Sequence, residues 1–228
     1  MTTPTANRLV IAVDGPSGTG KSTAARRLAT ALEAAYLDTG AMYRAATLHV
    51  LRTGVPVTDA EAVAASTEAL PLEIGTDPMV EVVRLGGDDV RTEIRAAAVT
   101  AAVSAVSAVP VVRERLVARQ RAIADAAGRI VVEGRDIGTV VLPEADLKVY
   151  LTASPQQRAR RRARQDGTGD YPAVLEAVQR RDHLDATRVS SPLRAADDAV
   201  VLDNSEFDLT ETVARLRALV DERQGARR

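Results

Sequence analysis

Eight consecutive residues, Gly15-Pro16-Ser17-Gly18-Thr19-Gly20-Lys21-Ser22, follow the pattern G-x-x-x-x-G-K-[ST]. The chemistry that this spacing suits is the holding of a polyphosphate. Glycines let the backbone wrap an anion with its N–H groups turned inward, and a helix start adds partial positive charge. Lys21 would reach the β- and γ-phosphates, and the Ser22 hydroxyl would hold Mg²⁺. A glycine-rich turn beside a surface lysine matches the same letters, but here an apolar strand precedes the run and a helical stretch follows it. We therefore assign Gly15, Pro16, Ser17, Gly18, Thr19, Gly20, Lys21, Ser22 and Thr23 to a bound ATP.

A protein that passes a phosphoryl group to another phosphate must hold two polyanions face to face, so it needs arginines beyond that lysine. Arg44 lies in Asp38-Thr39-Gly40-Ala41-Met42-Tyr43-Arg44, and Arg135 and Asp136 follow Glu133-Gly134. Both stretches come after strand-like runs, at the carboxyl ends where open α/β sheets bind ligands. Farther on stand Arg158, Arg160, Arg161, Arg162 and Arg164, then Arg180, Arg181, Asp182, Asp185 and Arg188. The first of these arginine runs reads either as a solvated helix face or as a lid. Its start is anchored through Ser154-Pro155 to a strand, and Gly167, Gly169 and Pro172 loosen its far end, which favours a lid that closes over phosphates. Arg135 with Asp136 could also be a loop ion pair, and Asp182 and Asp185 could be helix-face partners of Arg181 and Arg188. His49 and His183 receive no role.

The elements that must position these groups are legible as alternation. Short apolar runs at 9–14, 35–38, 129–133, 147–151 and 199–203 have the length of strands buried on both faces of a parallel sheet. Helical stretches lie between and after them at 21–34, 41–52, 111–126, 156–165, 173–185 and 209–223. Strands alternating with helices predict an α/β fold with helices on both faces. Residues 70–75, 79–85 and 88–90 break the alternation, with Thr76-Asp77-Pro78 and Gly86-Gly87 as turns, so a small antiparallel insertion is expected there. Residues 224–228 are expected to be a frayed tail.

The chain has 228 residues, 46% hydrophobic and 27% charged, with a formal net charge of -1. That balance suits one globular unit and gives no support to bulk electrostatic binding of nucleic acid or an anionic membrane. The absence of cysteine removes disulfides, thiolate catalysis and Cys-based zinc sites. Residues 1–8 are short and polar, and the apolar run after them stops at Asp14, so neither a signal peptide nor a membrane span is expected. A monomeric cytoplasmic protein is the expectation. A guanine-reading Asn-Lys-x-Asp stretch is missing, which argues against a GTPase. A kinase for another small acceptor, as in shikimate-type kinases, and a nucleotide-binding regulatory module remain open on these grounds.

Taken together, Asp14 to Lys21, Asp38 to Arg44, Gly134-Arg135-Asp136-Ile137-Gly138-Thr139-Val140-Val141, and Arg181-Asp182 with Asp185 and Arg188 resemble the bacterial cytidylate kinases over nearly the whole chain. The first block is shared with many kinases, whereas the second and third together are far more specific. The resemblance implies a P-loop NTPase three-layer sandwich with a parallel five-stranded sheet, a monophosphate-binding insertion carrying a small antiparallel sheet, and a helical lid. Its parts would be a core at 1–40, 127–152 and 195–228, an insertion at 41–126 and a lid at 153–194. The implied activity is transfer of the γ-phosphoryl of MgATP to CMP or dCMP. By the same likeness Arg44, Arg135 and Arg188 would hold the acceptor phosphate, Arg181 and Asp185 the ribose, and Ser104, Arg113 and Asp136 the base. Thr39 joins the acceptor site, Arg158 and Arg161 the ATP site, and Lys21, Arg135, Arg181 and Arg188 would carry the transfer. Glu133 stands where an aspartate is common in the family, Thr39 where serine is frequent, and Ser22 where some relatives have glycine.

Overall fold

Strand β1 (Leu9–Asp14) is buried along its whole length, and its side chains divide between two cores. Leu9, Ile11 and Val13 face one, Val10 and Ala12 the other, as the two-residue period of a strand requires. The computed structural model describes residues 8–167, 170–187 and 191–226. In it β1 lies at the centre of a five-stranded sheet whose other members are β2 (Ala35–Asp38), β6 (Arg129–Gly134), β7 (Leu147–Thr152) and β8 (Val200–Asp203). The order is β2-β6-β1-β7-β8, and every pairing is parallel.

On one face α1 (Lys21–Ala31) and α8 (Leu209–Gly225) cover Ile11, Val13, Val131, Val149 and Leu151. Asp208 and Glu211 form a reciprocal capping box at the start of α8. The opposite face is covered by α2 (Thr39–Arg52), α4 (Ala97–Ala108) and α5 (Pro110–Ala127). Beside them lie α3 (Ala60–Ser66) and a three-stranded antiparallel sheet of β3 (Leu72–Ile74), β4 (Val83–Leu85) and β5 (Asp88–Asp89). Gly86 and Gly87 both take positive φ, at 59° and 93°, which lets a two-residue turn join β4 to β5. The remaining pair, α6 (Pro155–Asp166) and α7 (Tyr171–Ala186), pack on each other. Ser154 and Asp170 cap them, each accepting from a backbone N–H in the first turn.

Several boundaries differ from the sequence reading for identifiable reasons. Helix α2 begins at Thr39 rather than residue 41 because the Asp38 carboxylate caps it, accepting from Ala41 N at 2.9 Å. The strand expected over 79–85 shrinks to Val83–Leu85, since Asp77 Oδ1 turns the chain by accepting from Met79 N, and Met79 and Val80 are exposed. Helices α3 and α4 had no counterpart in that reading. Among the described residues, no single helix is long and apolar enough to cross a membrane.

Candidate active site

The carboxyl ends of β1, β2 and β6 open into a cleft of about 610 Å³. Its walls come from the loop after β1, the start of α2, the insertion, α4 and α5, the loop after β6, and the α6–α7 pair.

The phosphate loop forms one end. Gly15 takes φ 147° and lies so close to β7 that a Cβ there would sit 2.0 Å from Leu151 O, so no other residue fits. Gly20, left-handed at φ 84°, turns the chain into α1, whose first residue is Lys21. Ser17, Gly18, Gly20, Lys21, Ser22 and Thr23 line the cleft. Thr19 is fully buried behind them, and its Oγ1 donates to Pro16 O at 3.2 Å. Lys21 Nζ folds back to donate to Pro16 O at 3.1 Å and stands 3.9 Å from Glu133 Oε2. Burial pulls the Lys21 ammonium down to about 7, and the Arg135 charge adds to that, with Glu133 opposing both.

Two carboxylates missed as site residues end the neighbouring strands. Glu133 accepts from Ser22 Oγ at 2.6 Å and from Tyr36 OH at 3.4 Å. Asp38 lines the cleft beside it; removal from bulk water pushes its carboxyl up to about 7, and the neighbouring Glu133 charge adds to that. Both stand at strand carboxyl ends, which is the positional signal that could have found them.

At the other end Arg113 and Asp136 form an ion pair with both side chains nearly excluded from solvent. The Arg113 guanidinium also lies over the Tyr43 ring, 5.4 Å from its centroid. Ser104 lines the same end. Thr39 Oγ1 donates to Glu133 O at 2.8 Å, fixing the start of α2 against β6. Arg44 donates from Nη1 to Ile94 O and Thr100 Oγ1, both at 3.0 Å, so its guanidinium is held in place from the insertion.

Between the two ends the cleft is cationic. Arg135 pairs through Nε with Asp185 Oδ2 at 3.1 Å. Arg181 lines the cleft with its Nε meeting no hydrogen-bond partner among the described residues. Burial lowers Arg181 to about 10, and the Arg135 charge acts in the same direction. Arg44 is lowered by burial and by Arg95 and Arg162. Arginines that depress one another in this way form a cluster of like charge, which a polyanion would relieve.

The arginine-rich helix divides its labour differently from the expectation. Arg158 is 3% exposed and does not line the cleft. It donates to Ala153 O, Ser17 O and both Asp182 oxygens, bracing α6 against α7 and the phosphate loop. Arg161 reaches the cleft, yet its guanidinium donates to Thr19 O, Asn204 and Phe207 O. Arg162 lines the cleft as well, as does Arg95 from the one-turn segment Glu93–Arg95. On a helix this rich in arginine only Ala159 and Ala163, four residues apart, mark the inward side, and they do not say which flanking arginine reaches the cleft; Arg95 lies where no periodicity exists to read. Arg188 lies outside the described residues.

A family model for cytidylate kinase matches residues 11–222. A cytidylate kinase of Rhodococcus jostii is 62% identical over 224 residues, covering 96% of this chain and 98% of the relative. One of Nocardia farcinica is 64% identical over 216 residues, covering 93% of each. Among solved structures, a gluconokinase from Sinorhizobium meliloti superposes with a TM-score of 0.51 at 17% identity, covering 96% of each chain, a likeness of fold alone. With a family model matched along nearly its full length and relatives above 60% identity, the chain belongs to the cytidylate kinase family.

Proposed function

We propose that this chain transfers the γ-phosphoryl of ATP to CMP or dCMP, giving the diphosphate and ADP. The observation that carries this reading is one cleft with a triphosphate cradle at one end and the buried Arg113–Asp136 pair at the other, with arginines between them.

Cytosine offers an amino donor at N4 and an acceptor at N3. The Asp136 carboxylate accepts from the first and Arg113 donates to the second, with Ser104 beside them. Uracil places an acceptor at O4 against the same carboxylate, so UMP is disfavoured. Asp185 and Arg181 serve the ribose, and Arg44 and Arg135 the acceptor phosphate, with Arg188 and Thr39 assigned to the same half. An oxygen of that phosphate bonds to the γ-phosphorus as the bond to the β,γ-bridging oxygen breaks, and ADP leaves with the electron pair. No covalent enzyme intermediate is needed, because positioning and charge neutralisation supply most of the catalysis. Lys21, Arg135 and Arg162 offset the charge on the moving group. Arg158 and Arg161 support the ATP half from behind by fixing the loop carbonyls of Ser17 and Thr19.

The donor set at the phosphate loop suits a hard cation. The Ser22 hydroxyl bonded to Glu133, with Asp38 close by, offers oxygen atoms only, and Mg²⁺ is bound by one or two carboxylates together with substrate phosphates. Ser22, Glu133 and Asp38 are the residues that would hold it, and it would neutralise charge on the β- and γ-phosphates. We divide the chain into a core (1–40, 127–152 and 195–228), an insertion (41–126) and a lid (153–194).

Incubation with MgATP and CMP, followed by chromatographic separation of nucleotides, tests this directly. CDP and ADP are expected in equal amounts; ADP without CDP would contradict the reading.

A further inference from the structure

The five residues Ile137–Val141 form a short helical turn immediately after Arg135 and Asp136. The first N–H groups of any such turn lack partners within it, and the residue at the cap position ordinarily supplies one from its side chain. Here that residue is Asp136, a type well suited to capping, yet its side chain makes no cap bond. It is committed to Arg113. The orphan donors are met instead from a different strand: Asp14 Oδ1 accepts from Ile137 N at 2.8 Å and Oδ2 from Gly138 N at 2.7 Å. Asp14 is 5% exposed and ends β1, where it is in register with Gly134 of β6. The next residue is Gly15, pressed against Leu151 O at the start of the phosphate loop.

We infer that Asp14 is a positioning residue for acceptor selectivity: by capping the 137–141 turn from across the sheet, it leaves the Asp136 carboxylate free to pair with Arg113 and read the base. The inference rests on the base-reading role proposed above. Without the Asp14 carboxylate, the N–H groups of Ile137 and Gly138 compete for Asp136, a side chain one and two residues away with the reach for that local bond. The Asp136–Arg113 geometry then loosens, while the glycine-shaped phosphate loop keeps its own backbone donors. The groups that act on Asp14 are Asp136, a like charge after β6, Lys21 of α1, which opposes it, and Tyr150 of β7. Lys148 of β7 packs its chain near Gly138. Burial pushes the Asp14 carboxyl up to about 6, against the pull of its two N–H donors, so mild acid neutralises the cap.

The test compares kcat/KM for CMP with that for UMP in the wild-type protein, Asp14→Asn, Asp136→Ala and the double variant. Asn is the same size but can accept only one of the two N–H bonds. We expect Asp14→Asn to lower the CMP/UMP ratio by about tenfold while the KM for ATP stays within about twofold. In the Asp136→Ala background it should lower the ratio no further, a non-additivity that a general loss of packing would not produce. An unchanged ratio, or equal effects in both backgrounds, overturns the inference. If Asp14→Asn does not fold, the wild-type ratio between pH 8 and pH 5.5 decides, because ionisation of the acceptor phosphate is common to both substrates and cancels. A fall through about pH 6 supports the inference and a flat ratio overturns it. Should the wild-type protein show no preference for CMP at any pH, the base-reading role itself fails, which is a separate result.

Discussion

Arg113 and Asp136 face each other at one end of the cleft with side-chain exposures of 5% and 6%, as deeply buried as the Lys21–Glu133 pair at the other. A buried charge without its partner is costly, and replacing such a pair by apolar groups is often neutral, so stability alone gives little reason for this one. Base recognition gives a reason. Asp136→Ala should raise the KM for CMP by about ten- to a hundredfold and erode discrimination against UMP, with the KM for ATP nearly unchanged. Steady-state kinetics with each substrate varied checks this, and surviving selectivity would remove Asp136 from the base site.

Lys21 sits at the opposite end, 5% exposed, with its ammonium donating to Pro16 O. Lys21→Met should lower kcat by about a hundred- to a thousandfold, the usual cost of losing one preorganised donor to a developing charge. Its thermal midpoint should change little, because removal of a buried ammonium offsets the loss of its 3.9 Å pairing with Glu133. A large loss of stability would show the lysine to be a structural strut.

Two arginines four residues apart on α6 should separate stability from rate. Arg158 is buried and pairs with Asp182, so Arg158→Ala should destabilise the fold by about 3–5 kcal/mol. Arg162 lines the cleft, so Arg162→Ala should lower kcat by at least about tenfold, with a smaller loss of stability than Arg158→Ala. Denaturant unfolding beside initial rates distinguishes the two, and the reverse assignment would contradict the geometry.

Asp14 links the site to pH. Its carboxyl rises from 3.8 to about 6 on folding, so between those values the folded protein holds a proton that the unfolded chain has released. The contribution is therefore fully present below pH 3.8 and is lost as pH rises through about 6. The stability of the wild-type protein minus that of Asp14→Asn should fall as pH is raised from about 4 to about 6.5. Denaturant midpoints across that range measure it, and a difference that grows with pH would be the opposite sign.

What could be read in advance follows the strength of local signals. The five core strands and the phosphate loop were legible because continuous apolar runs, a fixed glycine spacing and flanking helices all agree. Helix α4 escaped although Val99, Val103 and Val106 recur at helical spacing, because a segment of only Ala, Val, Ser and Thr gives that period little contrast. Asp59 capping α3 through Ala62 N was a readable signal that passed unused. That Arg44, Arg135 and Arg181 line the cleft was legible through strand ends and family likeness, whereas the choice between Arg158 and Arg162 depends on how α6 rotates against α7. That rotation is a tertiary fact, set by the Arg158–Asp182 pair. The capping of the 137–141 turn by Asp14 joins residues 123 and 124 positions apart, beyond any local pattern.

The acceptor proposed for this one cleft is a cytosine monophosphate. It is tested most directly by kcat/KM at fixed MgATP for CMP, dCMP, UMP, AMP and GMP. CMP or dCMP should rank first, with UMP lower by at least about tenfold and the purine monophosphates lower still. Equal or better turnover of AMP or UMP would contradict it.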